Sequence, residues 1–216
     1  MRVILIAGKK QSGKNTVADM LRSMLGELHV VNVSFAEPLK DMCKEAFRPL
    51  ITALNHEFEA LHSRIEAHGS ALDKNMPRFA GGHPYMTRDH NWYENKNNIT
   101  RLILQIVGTD VVRKVYPNYW IEQTIAKIAE YKRHQFATVS DWRFPNEFEL
   151  VDKAFPHAVS IRVVRKHHKE PTDTHISETA LDNYQFQHVI ENDGDVDDLR
   201  SKVQELAYQL IEENLT

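Results

Sequence analysis

Residues 8–16 read Gly-Lys-Lys-Gln-Ser-Gly-Lys-Asn-Thr. Glycines let a main chain curl until successive amides point inward, and a lysine closing such a turn reaches the outer oxygens of a polyphosphate. The chemistry legible here is the grip of a nucleotide's phosphate tail by Lys10, Ser12, Gly13, Lys14, Asn15 and Thr16. A strict phosphate-loop pattern has Ser or Thr directly after the lysine. Here Asn15 takes that place and the hydroxyl follows at Thr16, so both are candidates for magnesium, an ion that takes oxygen ligands and keeps several waters.

A second constellation, Asp141-Trp-Arg143, closes the apolar run Phe136 to Ser140. A carboxylate at a strand end can hold metal-bound waters or orient an arginine, and a guanidinium fork grips two phosphate oxygens at once. The competing assignments are a turn or helix cap for Asp141, just before Pro145, and a surface ion pair for Arg143. A third polar segment, Arg165-Lys-His-His-Lys169, is either a basic lid or a solvated charge run. The 12 histidines do not add up to a zinc site, because Cys43 is the one cysteine.

The elements that must position these groups follow from hydropathy patterning. Val3 to Ala7 is continuously apolar, as in a strand covered on both faces. Val17, Met20, Leu21, Met24 and Leu25 define a helix over Lys14 to Leu25, stopped by Gly26. Further strands are predicted at His29 to Phe35, Phe136 to Ser140, Ala158 to Val164 and His188 to Glu191. Helices are predicted from Pro38 to about Phe47, over a repeat from Leu50 to Ile65, from Ile99 to Val115, from Tyr119 to about Arg133, from Asn146 to Ala154 and from Val196 to Glu213. Asp195 with Asp198 makes a capping-box-like start for the last of these. Between Gly69 and Asn98 periodicity disappears, which predicts a long loop. Five strands separated by helices imply an α/β fold: a mostly parallel sheet with helices on both faces, a helical and loop insertion, and ligands at the strands' carboxyl ends.

With 216 residues, 42% hydrophobic and 26% charged, and a net charge of −3, the chain suits one globular domain and is not a basic nucleic-acid coat. A lone cysteine suits a reducing compartment, and the apolar start is too short to export or anchor the chain; a cytoplasmic location is expected. The stripe Leu199, Val203, Leu206 and Leu210 fits packing on the sheet as well as it fits a homodimer.

The loop 8–16 resembles the G-x-x-x-S-G-K-D-T loop of the bacteriophage deoxynucleoside monophosphate kinases, with Asn15 where that family usually has Asp. Further segments are similar: Ser34-Phe-Ala-Glu-Pro-Leu-Lys40, Leu104-Gln-Ile-Val-Gly-Thr-Asp110 with Arg113, Asp141-Trp-Arg-Phe-Pro-Asn-Glu147, His175-Ile-Ser-Glu178 and Ile190-Glu-Asn-Asp-Gly194. Pro49 to Asn98 carries no matching segment. Adenylate kinases also lack a hydroxyl directly after the lysine.

The resemblance implies a single P-loop kinase domain over 1–216, with an acceptor-side insertion at about 38–133 and a lid at about 165–181. It implies transfer of the γ-phosphoryl group of ATP, with Mg²⁺, to a deoxynucleoside 5′-monophosphate, and no stable nucleic-acid or membrane partner. Lys14, Arg143 and Asp141 would be catalytic, with Asn15, Thr16 and Asp141 toward the metal. Arg165 and Lys169 would lie over ATP, and Asn192 and Gly194 at its adenine side. Phe35, Ala36, Lys40, Gln105, Asp110, Arg113, Trp142, Arg143, Glu147 and Glu178 would face the acceptor. Two other functions share the loop: a kinase for another acceptor, such as a modified base in DNA, and a non-catalytic ATP-binding module.

Overall fold

The computed structural model describes residues 1–46, 49, 98–165 and 175–215. The chain divides into two compact units, Met1–Pro38 with Val112–Thr216, and Leu39–Val111. The first unit is built on a five-stranded sheet of β1 (Arg2–Ala7), β2 (Val30–Val33), β3 (Phe136–Val139), β4 (Val159–Val164) and β5 (His188–Glu191). Their order is β2-β3-β1-β4-β5, and every pairing is parallel. This is the α/β architecture predicted from the alternation of strands and helices.

The uninterrupted apolar run of β1 has a direct cause. Ile4 and Ile6 pack with Val17 and Leu21 of α1 (Lys14–Leu25) and with Leu199, Val203 and Leu210 of α7 (Val196–Leu215). Val3, Leu5 and Ala7 face the other way, toward Ile121 and Ile128 of α4 (Tyr119–Glu130) and Val151 of α5 (Pro145–Ala154). A central strand with helices on both faces has no side left for polar residues. The stripe of α7 is thereby used within this unit's own core.

Element limits differ from the expectation where prolines and caps intervene. A helix, α2, spans residues 36–46, so Pro38 lies inside its first turn, where a missing N–H costs no helical bond. Pro145 likewise occupies the first turn of α5, one residue earlier than predicted. The predicted capping interaction of α7 is present, with the Asp198 amide donating to Asp195 Oδ1 at 2.9 Å.

The stretch predicted as one helix from Ile99 to Val115 begins as α3 (Asn98–Gln105) and widens into a π-helix, Ile106–Arg113. Within the second unit Gly108 packs closely on Leu39, where a Cβ would lie 2.6 Å from Leu39 Cδ2. One short helix, α6 (Ile176–Thr179), went unpredicted; His175 caps it by accepting from the Ser177 amide. The predicted helix from Leu50 to Ile65, the predicted loop from Gly69 up to residue 97, and Lys169 fall outside the described residues, while Asn98 opens α3.

Candidate active site

Parallel pairing brings the carboxyl ends of β1, β3, β4 and β5 to one edge of the sheet, and the polar segments named above emerge there. After β1 the chain enters residues 8–13 with Gly8 at φ 153° and Gly13 at φ 100°. A Cβ on Gly8 would come 2.5 Å from the Val163 carbonyl oxygen, and one on Gly13 would run into Asn192 Nδ2. Both positions therefore exclude side chains on conformational and steric grounds.

Lys14 folds back over this loop and donates to the carbonyls of Gly8 and Lys9, each at 2.8 Å. Helix α1 starts at Lys14 with no side-chain cap and no acid in its first turn. Its leading amides and the positive end of its dipole thus face the loop, which is the electrostatic preference of an anion site. The Ser12 hydroxyl, 3% exposed, has no hydrogen-bond partner among the described residues.

The end of β3 meets the loop from the neighbouring strand. Ser140 Oγ donates to Asn15 Oδ1 at 3.2 Å, joining the residue after the loop lysine to the strand end. Asp141 accepts from the Phe35 amide at 3.0 Å, the Ala36 amide at 2.8 Å and Ser34 Oγ at 2.7 Å. Its carboxylate caps the start of α2, and not the helix that begins at Pro145, which was the cap the sequence suggested. Beyond it, Arg143 Nη1 donates to Glu178 Oε2 at 2.7 Å, across a cleft lined by Gly8, Lys9 and Ser177. Lys9 spans the same cleft, donating to the Glu178 carbonyl at 2.8 Å and to Asp182 Oδ1 at 2.5 Å.

Behind the cleft, Glu147 is 1% exposed. It accepts from the Arg143 amide at 2.7 Å, the Phe144 amide at 3.1 Å and Arg113 Nη2 at 2.6 Å. The Arg113 guanidinium also lies 4.1 Å from the centre of the Phe144 ring. Burial pushes the Glu147 carboxyl up to about 7, against the opposing pull of Arg113 and the two amides.

The loop residues, Asp141 and Arg143 are brought together as the strand order requires. Lys10, Asn15, Thr16 and Arg165 are exposed, and Gly194 lies beside Asp198. Asn192 is bonded to the loop itself, its Nδ2 donating to the Ser12 carbonyl at 2.8 Å. Phe35 and Trp142 are buried at 5% and 1% exposure, and Trp142 meets Tyr184 and Phe186 edge-on and Phe148 at a tilt while its Nε1 donates to the Phe144 carbonyl. Phe35 and Glu147 offer the acceptor almost no surface, whereas Trp142 lines the cleft beside Arg143. Ala36 stands at the start of α2, while Lys40, Gln105 and Asp110 belong to the second unit.

Sequence reasoning passed over Lys9, Ser140 and Asp182. Lys9 had a signal, being the other lysine of the Lys9-Lys10 doublet. Asp182 had none, since its role arises from chain segments far apart in sequence.

For magnesium, the structure offers the amide oxygen of Asn15 beside the Ser140 hydroxyl, with Thr16 in the same turn of α1. No cluster of three or more His, Cys, Asp or Glu suited to a metal occurs among the described residues. That donor set fits an ion held chiefly by substrate phosphates and waters, with one or two protein oxygens.

A glycine cradle between a buried central strand and an uncapped helix, with an arginine rising from the adjacent strand end, defines a P-loop kinase. The profile of the deoxynucleotide monophosphate kinase family matches residues 82–203. The chain is 28% identical to the deoxynucleotide monophosphate kinase of Escherichia phage RB69, over 95% of this chain and 99% of the relative. It is also 28% identical to a protein of Acanthamoeba polyphaga mimivirus, over 84% of this chain and 82% of that one. The chain belongs to the deoxynucleotide monophosphate kinase family. Among the described residues, no helix is long and apolar enough to cross a membrane.

Proposed function

We propose that this chain transfers the γ-phosphoryl group of ATP to the 5′-phosphate of a deoxynucleoside monophosphate, yielding the diphosphate. The observation that carries this reading is the glycine cradle and uncapped α1 beside Arg143, in a chain of this family. Phosphoryl transfer asks little covalent chemistry of a protein; it needs positioned positive groups and exclusion of water.

The main-chain amides of residues 8–14 and the Lys14 ammonium hold the donor's phosphates. Lys14 is already poised over the loop by its two carbonyl contacts and exchanges them for phosphate oxygens, which are stronger, charged partners. Arg143 binds the acceptor phosphate or the group in transfer, its fork giving two parallel contacts. Asn15 and Thr16 would hold magnesium, which when bound would supply positive charge beside the phosphate oxygens. Asp141 contributes by fixing residues 34–36 at the start of α2 and would hold water bound to the metal. Ala36, Lys40, Gln105, Asp110 and Arg113 are the acceptor-side candidates, and Arg165 and Gly194 the donor-side ones.

Coupled ATP consumption measured over a panel of free deoxynucleoside monophosphates and oligonucleotides tests the reading. Turnover with monomers and none with DNA is the expected result. Activity confined to DNA, or ATP binding with no turnover, would overturn it.

A further inference from the structure

We infer that Asn192 is a positioning residue of the phosphate loop, one that sets the orientation of the Ser12–Gly13 peptide so that its N–H faces the bound phosphates. The inference rests on the reading of residues 8–14 as the cradle for the donor's phosphates.

The side chain reaches the loop from the far side of the sheet's edge, just after β5. Its own main-chain amide donates to the Val164 carbonyl at 2.8 Å, which fixes the residue against the end of β4. From that anchored position Asn192 Nδ2 donates to the Ser12 carbonyl, also at 2.8 Å. A trans peptide is planar, with its carbonyl and N–H directed to opposite sides. Holding the Ser12 oxygen toward Asn192 therefore turns the Gly13 N–H to the other side of the peptide, into the concave face of the loop.

Among the described residues the Ser12 amide donates to the Lys9 carbonyl at 3.2 Å, which holds the peptide before Ser12 and not the one after it. Gly13 has a φ of 100°, and a glycine can rotate its flanking peptides at little cost. The carbonyl of Gly13 is committed to the helix, accepting from the Val17 amide at 3.0 Å, so the free choice lies on the Ser12 side. The neighbouring Ser12 hydroxyl is buried without a partner among the described residues and so does not pin the turn either. The close fit of Asn192 against Gly13, where any Cβ would collide with Nδ2, shows that the two positions are matched to each other. Asn192 thus accounts for Gly13 a second time, beyond its left-handed backbone.

This role differs from a contact with the adenine, the other part that residues 190–194 would play. Inorganic tripolyphosphate separates the two, because it carries the phosphate chain and no base. Magnesium-supported binding of tripolyphosphate and of ATP would be measured by calorimetry on the wild-type chain and on Asn192→Leu and Asn192→Ala, with folding of each checked by thermal melting. Leucine keeps the bulk and loses the donor; alanine removes both and keeps the inference testable should leucine disturb packing.

The expected result is a loss of about tenfold or more for both ligands to a similar degree, of the order set by one hydrogen bond to a phosphate. Loss for ATP alone would assign Asn192 to the base and overturn the inference, and so would unchanged affinity for both. Failure of the wild-type chain to bind either ligand would remove the phosphate-cradle reading itself. Binding by the wild type without turnover of any monophosphate would count against the proposed reaction and leave Asn192 in place.

Discussion

The Asp141 carboxylate accepts from the Ala36 amide at 2.8 Å and so ties the carboxyl end of β3 to the first turn of α2. With the Phe35 amide and Ser34 Oγ on the same carboxylate, one side chain organises the turn that leaves β2. Replacing Asp141 with alanine should cost about 1 kcal/mol of stability, as for loss of a helix cap. It should also raise the KM for the monophosphate more than that for ATP. Urea denaturation and a two-substrate kinetic comparison check both; an unaltered stability would mean that these three hydrogen bonds contribute nothing net.

Lys14→Ala should leave the fold intact and lower kcat by at least about a hundredfold, the usual consequence of removing one charge-stabilising group from a transition state. Near-normal turnover in that variant would dismiss Lys14 as the donor-side cation.

Arg143→Lys tests geometry rather than charge. An ammonium cannot reproduce a two-pronged grip, so kcat/KM for the monophosphate should fall about tenfold or more while the melting temperature changes little. Unchanged kinetics would take Arg143 out of the site and leave it only its ion pair with Glu178.

Glu147 makes the stability depend on pH. Its carboxyl titrates near 7 when folded, against 4.5 as the ordinary value, because burial disfavours the charged form. Between those limits the folded chain holds a proton that the unfolded chain has released. The contribution of Glu147 is therefore complete below about 4.5 and is lost as pH rises through about 7, at a slope of at most about 1.4 kcal/mol per pH unit. Glu147→Gln should remove that slope. Denaturation of both proteins at intervals across this range measures the difference; parallel curves would show that Glu147 does not titrate there.

Much of the frame was legible in the amino-acid sequence, and the reasons are local. A strand buried on both faces has to be apolar throughout, so Val3 to Ala7 announced the centre of the sheet. A cradle of amides needs glycines at fixed places, so Gly8, Gly13 and Lys14 announced the phosphate loop, and strand ends in a parallel sheet must gather at one edge, which joined Asp141 and Arg143 to it. The widening of the helix at Ile106 left no such trace in the apolar spacing of Ile99 to Val115.

The amino-acid sequence by itself determined which chemical groups are present and which edge of the sheet they share, since strand pattern and glycine placement depend on near neighbours along the chain. Only the tertiary structure decided what each group does there. Asp141 became a cap, Glu147 a buried support for two arginines and Asn192 a clamp on the loop, because each is defined by a hydrogen-bond partner distant in sequence. Such partners are chosen by strand order, which no local pattern encodes.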